Sequence, residues 1–150
     1  MRLLKLVELL LSAQGGMCTF FIKVLSEDTA VDLKYLYCDS KNPHLAVNAL
    51  GSQFQIEESF LIIVDTAIPR KVELPLMKVA RPQEKASPGF SVDAQNYVLF
   101  NGSRDNWLTC KTFNGHFDDA YCVYIENPYQ YQQARQYCTP VLLTAVGIPQ

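Results

Sequence analysis

Short runs of alternating apolar and polar residues, interrupted by turn residues about every eight to twelve positions, are the feature that most constrains this sequence. In residues 30–38, for example, Val31, Leu33, Tyr35 and Tyr37 alternate with polar neighbours, which predicts a half-buried strand with these four on its apolar face. Residues 91–100 predict a hairpin that turns at 94–96. The pattern therefore predicts an all-β fold, a compact sandwich or barrel of short antiparallel strands.

The length and the N-terminal sequence predict one domain preceded by a separate segment. A chain of 150 residues suffices for one hydrophobic core. Residues 1–16 combine Arg2 and Lys5 with an apolar run over 6–11 and small residues at 12–16, as in a secretory signal peptide. Glu8 within that run leaves an amphipathic N-terminal helix as the alternative. Residues 17–150 are expected to form the single β-domain.

Charge and hydropathy exclude two classes of protein. The formal net charge of -2 provides no basic surface for a phosphate backbone, so no nucleic-acid partner is expected. The apolar run near the N-terminus is too short to span a bilayer, so no transmembrane segment is expected either.

The cysteines favour disulfides over a metal site. Paired thiolates at short spacing are typical of structural zinc sites, and no CxxC pair occurs here, so no metal is expected. The sequence has no glycine-rich phosphate loop, and no cofactor is expected either. Wide spacing suits disulfides of an extracellular protein, although an odd number leaves one thiol free or paired with another chain. Reduced, buried cysteines are the alternative. The disulfide candidates are Cys18, Cys38, Cys110, Cys122 and Cys138.

Residues 90–148 resemble the C-terminal domain of the PIR cell-wall mannoproteins of yeasts. The shared order is Gly102 to Asp105, Trp107 to Cys110, Gly115 to Phe117, and Cys138 before an aliphatic strand ending in Ala145-Val146. The Gln53-Phe54-Gln55 strand is similar as well. The glutamine repeats through which that family is thought to attach to β-1,3-glucan do not occur in this sequence. The resemblance implies a β-fold and an extracellular, wall-associated location.

Several residues are candidates for contact or modification. Asn101-Gly102-Ser103 is an N-glycosylation triplet at a predicted hairpin end, which exposes Asn101. Aromatic side chains stack on sugar rings and also pack in cores. The candidates for contact with a glycan or a partner are Trp107, Tyr129 and Tyr131.

Two arrangements suggest enzymatic chemistry, and each has a plainer explanation. His116 has Asp118 and Asp119 nearby as orienting groups, and Cys110 or Cys122 as nucleophile, but a polar turn after Asn114-Gly115 is the plainer explanation of these residues. The carboxylates of Glu57, Glu58 and Asp65 suit glycoside hydrolysis only if adjacent strand residues converge. No catalytic residues are therefore assigned.

The sequence thus predicts a secreted structural protein of the cell wall that contacts a polysaccharide such as β-glucan. The alternatives are a secreted, effector-like protein that binds a cell-surface receptor, and a small secreted hydrolase.

Overall fold

The computed structural model describes residues 19–39, 43–81, 85–111, 121–125 and 138–147. In these ranges the chain forms twelve strands: β1 Phe20–Leu25, β2 Tyr35–Tyr37, β3 Ala46–Asn48, β4 Phe54–Glu57, β5 Phe60–Ile63, β6 Arg70–Glu73, β7 Lys78–Val79, β8 Phe90–Val92, β9 Val98–Phe100, β10 Trp107–Lys111, β11 Tyr121–Ile125 and β12 Cys138–Gly147. The predicted all-β class is confirmed.

Six of the strands close into an antiparallel barrel. Their order is β1-β2-β3-β11-β10-β12, and β12 pairs again with β1. This last pairing runs over six residue pairs, from Phe20 opposite Gly147 to Leu25 opposite Leu142. Of the two architectures that the sequence predicts, the protein therefore adopts the barrel.

The remaining strands extend the barrel on two sides. β4 pairs with β1 where Phe20 lies opposite Phe54, and β5, β6 and β7 follow as successive neighbours. The predicted hairpin is present as β8 and β9. It joins β12 through an antiparallel bridge between Tyr97 and Thr144.

Alternation along the strands separates the barrel core from the surface. In β1, Ile22 and Val24 are fully buried inside the barrel, whereas Phe21, Lys23 and Leu25 point outward and are half-buried. The same core receives Leu36, Val47, Val123, Val141 and Leu143 from the other barrel strands.

The prediction of one alternating strand over 30–38 is wrong. Residues 28–33 form a turn in which the Asp28 carbonyl accepts the amide hydrogens of Val31 and Asp32. Leu33 has a φ of 62°, which breaks the alternation and leaves its side chain 59% exposed. In the strand that follows, the inward residue is Leu36, and the tyrosines on either side of it point outward.

Candidate functional site

The glycosylation triplet lies at the tip of a tight turn after β9. Phe100 and Ser103 exchange backbone hydrogen bonds of 3.0 and 3.1 Å, and Asn101 and Gly102 between them have φ values of 51° and 80°. Two positive φ values in a two-residue connection define a type I′ turn, which Asn-Gly favours. Asn101 is exposed. The geometry suits an oligosaccharide acceptor, and glycosylation itself remains a prediction.

Trp107 is a core residue. Its side chain has no exposed surface and stacks on Phe90 with ring centroids 6.1 Å apart, while Phe100 meets it edge-on. The indole Nε1–H donates to the Val98 carbonyl at 3.0 Å. A fully enclosed ring cannot stack on a sugar, so the contact role predicted for Trp107 is corrected: it joins the β8–β9 hairpin to the barrel.

Several sequence-predicted residues lie outside the described ranges. They are the N-terminal segment 1–16, Cys18, Tyr129 and Tyr131, the turn at Asn114-Gly115, and the cluster of His116, Asp118 and Asp119. What the sequence indicates about these residues stays a prediction.

Four of the five cysteines can be placed. Cys110 in β10 and Cys138 in β12 form a disulfide, and Cys38 and Cys122 are free thiols. A disulfide sulfur is not a free nucleophile, so Cys110 cannot have the role considered for it beside His116. Burial raises the pKa of the Cys122 thiol to about 11, which leaves it protonated at neutral pH. Burial, and then the carboxylate of Asp65, also raise the pKa of Cys38.

The three carboxylates lie at opposite ends of the β4–β5 hairpin, Glu57 and Glu58 at its tip and Asp65 beyond its open end. Glu57 and Glu58 are both exposed at the tight connection from β4 to β5, where Glu58 and Ser59 have φ values of 52° and 65°. Asp65 accepts the backbone N–H of Gln53 at 3.0 Å. Among the described residues, no group of three or more His, Cys, Asp or Glu side chains is placed to hold a metal ion.

An aromatic surface on the outside of the barrel was missed by the sequence analysis. Phe21 of β1 and Tyr35 of β2 meet edge-on with ring centroids 5.8 Å apart, and the Lys23 ammonium lies 5.6 Å from the Tyr35 centroid. Tyr37 follows two positions along the same face of β2. We call Phe21, Lys23, Tyr35 and Tyr37 the aromatic face; all four are half-buried. A nearby connection carries Leu50, which is 71% exposed.

A shallow cleft lies where β1 ends beside the start of β12. It has a volume of about 530 Å³ and carries the carboxylates of Glu27 and Asp105 in its lining. The other lining residues are Leu25, Ser26, Thr139, Pro140, Val141 and Leu142. Such a mixture of apolar and acidic groups suits an extended, basic segment better than an anion.

Comparison with known proteins gives no match. No family model, no curated protein and no solved structure matches the chain. Over the part of the chain that is described, no helix is long and apolar enough to cross a membrane.

Proposed function

We propose that this protein is a secreted, structural β-barrel of the cell wall and that it contacts wall polysaccharide through the aromatic face. The observation that carries the proposal is the outward pair of Phe21 and Tyr35 beside Lys23. Half-exposed rings complement the apolar face of a pyranose, and the phenol and ammonium groups supply hydrogen bonds to its hydroxyls.

Three further features support an extracellular structural role. The Cys110–Cys138 disulfide suits an oxidising compartment. The exposed Asn101 turn suits glycosylation, and the order of motifs resembles the PIR domain. A cross-linked barrel also resists local opening, which benefits a protein exposed to proteases.

Retention on insoluble β-1,3-glucan tests this proposal. Replacing Phe21 and Tyr35 by Ala should reduce retention at least tenfold without changing the circular dichroism spectrum, because both side chains lie outside the barrel core. Phe60→Ala is the matched control: this half-buried ring also has a lysine over it, with Lys71 Nζ 4.2 Å from its centroid, but it lies on β5 outside the barrel. Equal retention of all three proteins would refute polysaccharide contact at the aromatic face.

The second candidate function is a secreted interaction protein, and the acidic cleft is the observation that favours it. An extended basic peptide would lie along Thr139–Val141 with its charges near Glu27 and Asp105. In that case, Glu27→Gln together with Asp105→Asn should abolish binding to intact cells, and salt should weaken the binding of the unmodified protein. The Phe21 and Tyr35 variant would then bind cells normally.

The hydrolase alternative has little support among the described residues. Its central residue His116 lies outside them, and both of its proposed nucleophiles are unsuitable because Cys110 is oxidised and Cys122 is buried with a raised pKa.

A further inference from the structure

Three cysteines lie side by side on adjacent strands of the barrel. Cys110 of β10 is directly opposite Cys122 of β11 on one side and directly opposite Cys138 of β12 on the other. Residues directly opposite in antiparallel strands point to the same face of the sheet, so the three side chains form one row. Cys110 and Cys122 are 6% and 3% exposed.

The row belongs to the outward face of the sheet. It forms a small cluster, separate from the barrel core, to which Leu76, Leu108 and Tyr124 also belong. Residues of opposite parity on the same strands, such as Trp107 and Val123, point into the barrel. The cysteines are therefore not needed to fill the main core.

We infer that this row is a disulfide-exchange site, in which the bond moves from Cys110–Cys138 to Cys110–Cys122 within the folded barrel. The free Cys122 thiol already lies beside its target, since it donates a hydrogen bond to the Cys110 carbonyl at 3.5 Å. Cys110 is the middle residue of the row, so Cys122 and Cys138 lie on strands on its two sides. This order of strands lets Cys122 attack the Cys110 sulfur from the side away from Cys138, as displacement at sulfur requires.

The exchange needs no oxidant or reductant. Cys122 loses its proton to water and the thiolate attacks Cys110 Sγ; the Cys110–Cys138 bond breaks, and Cys138 leaves as a thiolate that takes up a proton. One disulfide and one thiol are present before and after. Opposite Cβ atoms in a sheet are about 4.5–5.5 Å apart, and a disulfide needs about 3.5–4.5 Å, so a local shift of about 1 Å suffices.

The consequence is a change in which thiol is accessible. Before exchange the free thiol is Cys122, which is buried; afterwards it is Cys138, which is half-buried at the start of β12. Cys138 precedes Thr139 and Pro140, which line the cleft. The exchange therefore moves the free thiol from a buried position to the edge of the cleft.

The rate of this exchange is limited by ionisation of Cys122. Its neighbours in the cluster are Leu76, Leu108, Tyr124 and the two disulfide cysteines, and the titratable side chain that hydrogen-bonds to the thiol is Tyr124. Burial raises the pKa of Cys122 to about 11. Below that value the thiolate fraction, and with it the rate, rises about tenfold for each pH unit.

The test uses the full chain with Cys18 and Cys38 replaced by Ser, so that only the three cysteines of the row remain. The native protein is incubated with N-ethylmaleimide at pH 7, 8 and 9, then digested without reduction and mapped by mass spectrometry. We expect the adduct on Cys138 together with a Cys110–Cys122 link, formed about a hundredfold faster at pH 9 than at pH 7. An adduct on Cys122 alone, or an unmodified Cys110–Cys138 link without any adduct, would overturn the inference.

Two single variants in that background check the chemistry. Cys122→Ser removes the attacking thiol, and the Cys110–Cys138 bond should then persist without labelling of Cys138. Cys138→Ser should form the Cys110–Cys122 bond on mild oxidation by glutathione disulfide. If Cys138→Ser does not fold, the labelling pattern of the three-cysteine protein still decides.

A concentration series separates exchange within one molecule from exchange between molecules. The rate at which Cys138 is labelled should not change over a twentyfold range of protein concentration. A rate proportional to concentration would overturn the inference, because it would mean that the attacking thiol belongs to a second chain.

Discussion

Thr109 places a hydroxyl in the barrel interior without a hydrogen-bond partner. Its side chain is 1% exposed, and its Oγ1 is one of the buried polar atoms of the described residues that have no partner. An unsatisfied buried hydroxyl costs roughly 1–3 kcal/mol, which Val at the same position avoids at nearly equal volume.

Thr109→Val should therefore stabilise the protein by about 1 kcal/mol. Thr144→Val is the matched control, because Thr144 Oγ1 donates to the Asn96 carbonyl at 3.1 Å and its loss should destabilise by about 1 kcal/mol. Urea unfolding of the three proteins measures both differences. A lower midpoint for Thr109→Val would mean that the hydroxyl is satisfied in solution.

Cys122 gives stability a defined pH dependence. Its pKa in the folded protein, about 11, exceeds its ordinary value of 9.0, so the folded state favours the protonated thiol. The resulting contribution to the free energy of unfolding is fully present below pH 9 and is lost as pH rises to about 11. It amounts to at most about 3 kcal/mol.

The stability difference between wild type and Cys122→Ala should accordingly shrink as pH rises from 8 to 10.5. Burial, and then Cys122 itself, raise the pKa of Tyr124, so the difference reports the titration of this coupled pair. The free energies of unfolding in urea provide the measurement, with Cys18 and Cys38 replaced by Ser and Cys110 and Cys138 by Ala in both, so that Cys122 has no disulfide to exchange with. A difference that does not vary with pH would show that Cys122 is solvated.

At the scale of elements, the hairpin β8–β9 depends on a few contacts with the barrel. Trp107 packs against Phe90 and Phe100, and Asn96 accepts hydrogen bonds from Thr144 Oγ1 and from the Ala145 amide. These contacts, rather than an extensive β-ladder between the hairpin and the barrel, hold the hairpin in place.

Trp107→Ala should lower the free energy of unfolding by about 3–5 kcal/mol, as expected for a buried aromatic residue. Trp107 is the only tryptophan of the chain, so intrinsic fluorescence reports directly on this junction. In wild type, acrylamide should quench it weakly and added glucan should not change it. If added glucan changed the fluorescence, Trp107 would be part of the contact surface.

The β8–β9 hairpin follows the pattern that the sequence predicts, with a turn at 94–96 between two short strands. In 30–38, by contrast, the φ of 62° at Leu33 reverses the face on which the later residues lie. Tyr35 and Tyr37 thereby leave the predicted apolar face and become part of the aromatic face. Side-chain hydrogen bonds such as that from the Ser26 amide to Asp32 Oδ1 fix this turn, and no periodicity signals them.

The candidate site was harder to predict than the strands. The exposed turn at Asn101 follows from the local Asn-Gly chemistry. The pairing of Cys110 with Cys138 does not, because it depends on which strands become neighbours when the barrel closes. Trp107 is a contact candidate from the sequence because a buried and an exposed aromatic ring have the same local sequence signature.

At the scale of the whole molecule, the Cys110–Cys138 disulfide links two strands of the barrel covalently. It joins residues 28 apart in sequence on the neighbouring strands β10 and β12. On the loop-entropy account, such a bond stabilises the fold by roughly 3–4 kcal/mol.

Replacing both Cys110 and Cys138 by Ala should therefore lower the free energy of unfolding by about 3 kcal/mol. Cys38→Ala, which removes a free thiol, is the control and should change stability by less than about 1 kcal/mol. Thermal and urea unfolding both report this difference. If the double variant and Cys38→Ala lost the same free energy of unfolding, the disulfide would contribute nothing beyond side-chain packing.

The pairing of β1 with β12 also sets an order for biosynthesis. β1 precedes β12 in the chain, and the part of β12 that completes its ladder spans 142–147. A growing polypeptide cannot close the cylinder until those residues have left the ribosome. Until then the backbone groups along one edge of β1 are unpaired, and they can pair with strands of other nascent chains. Truncation before 142 should accordingly yield an aggregating product rather than a smaller barrel.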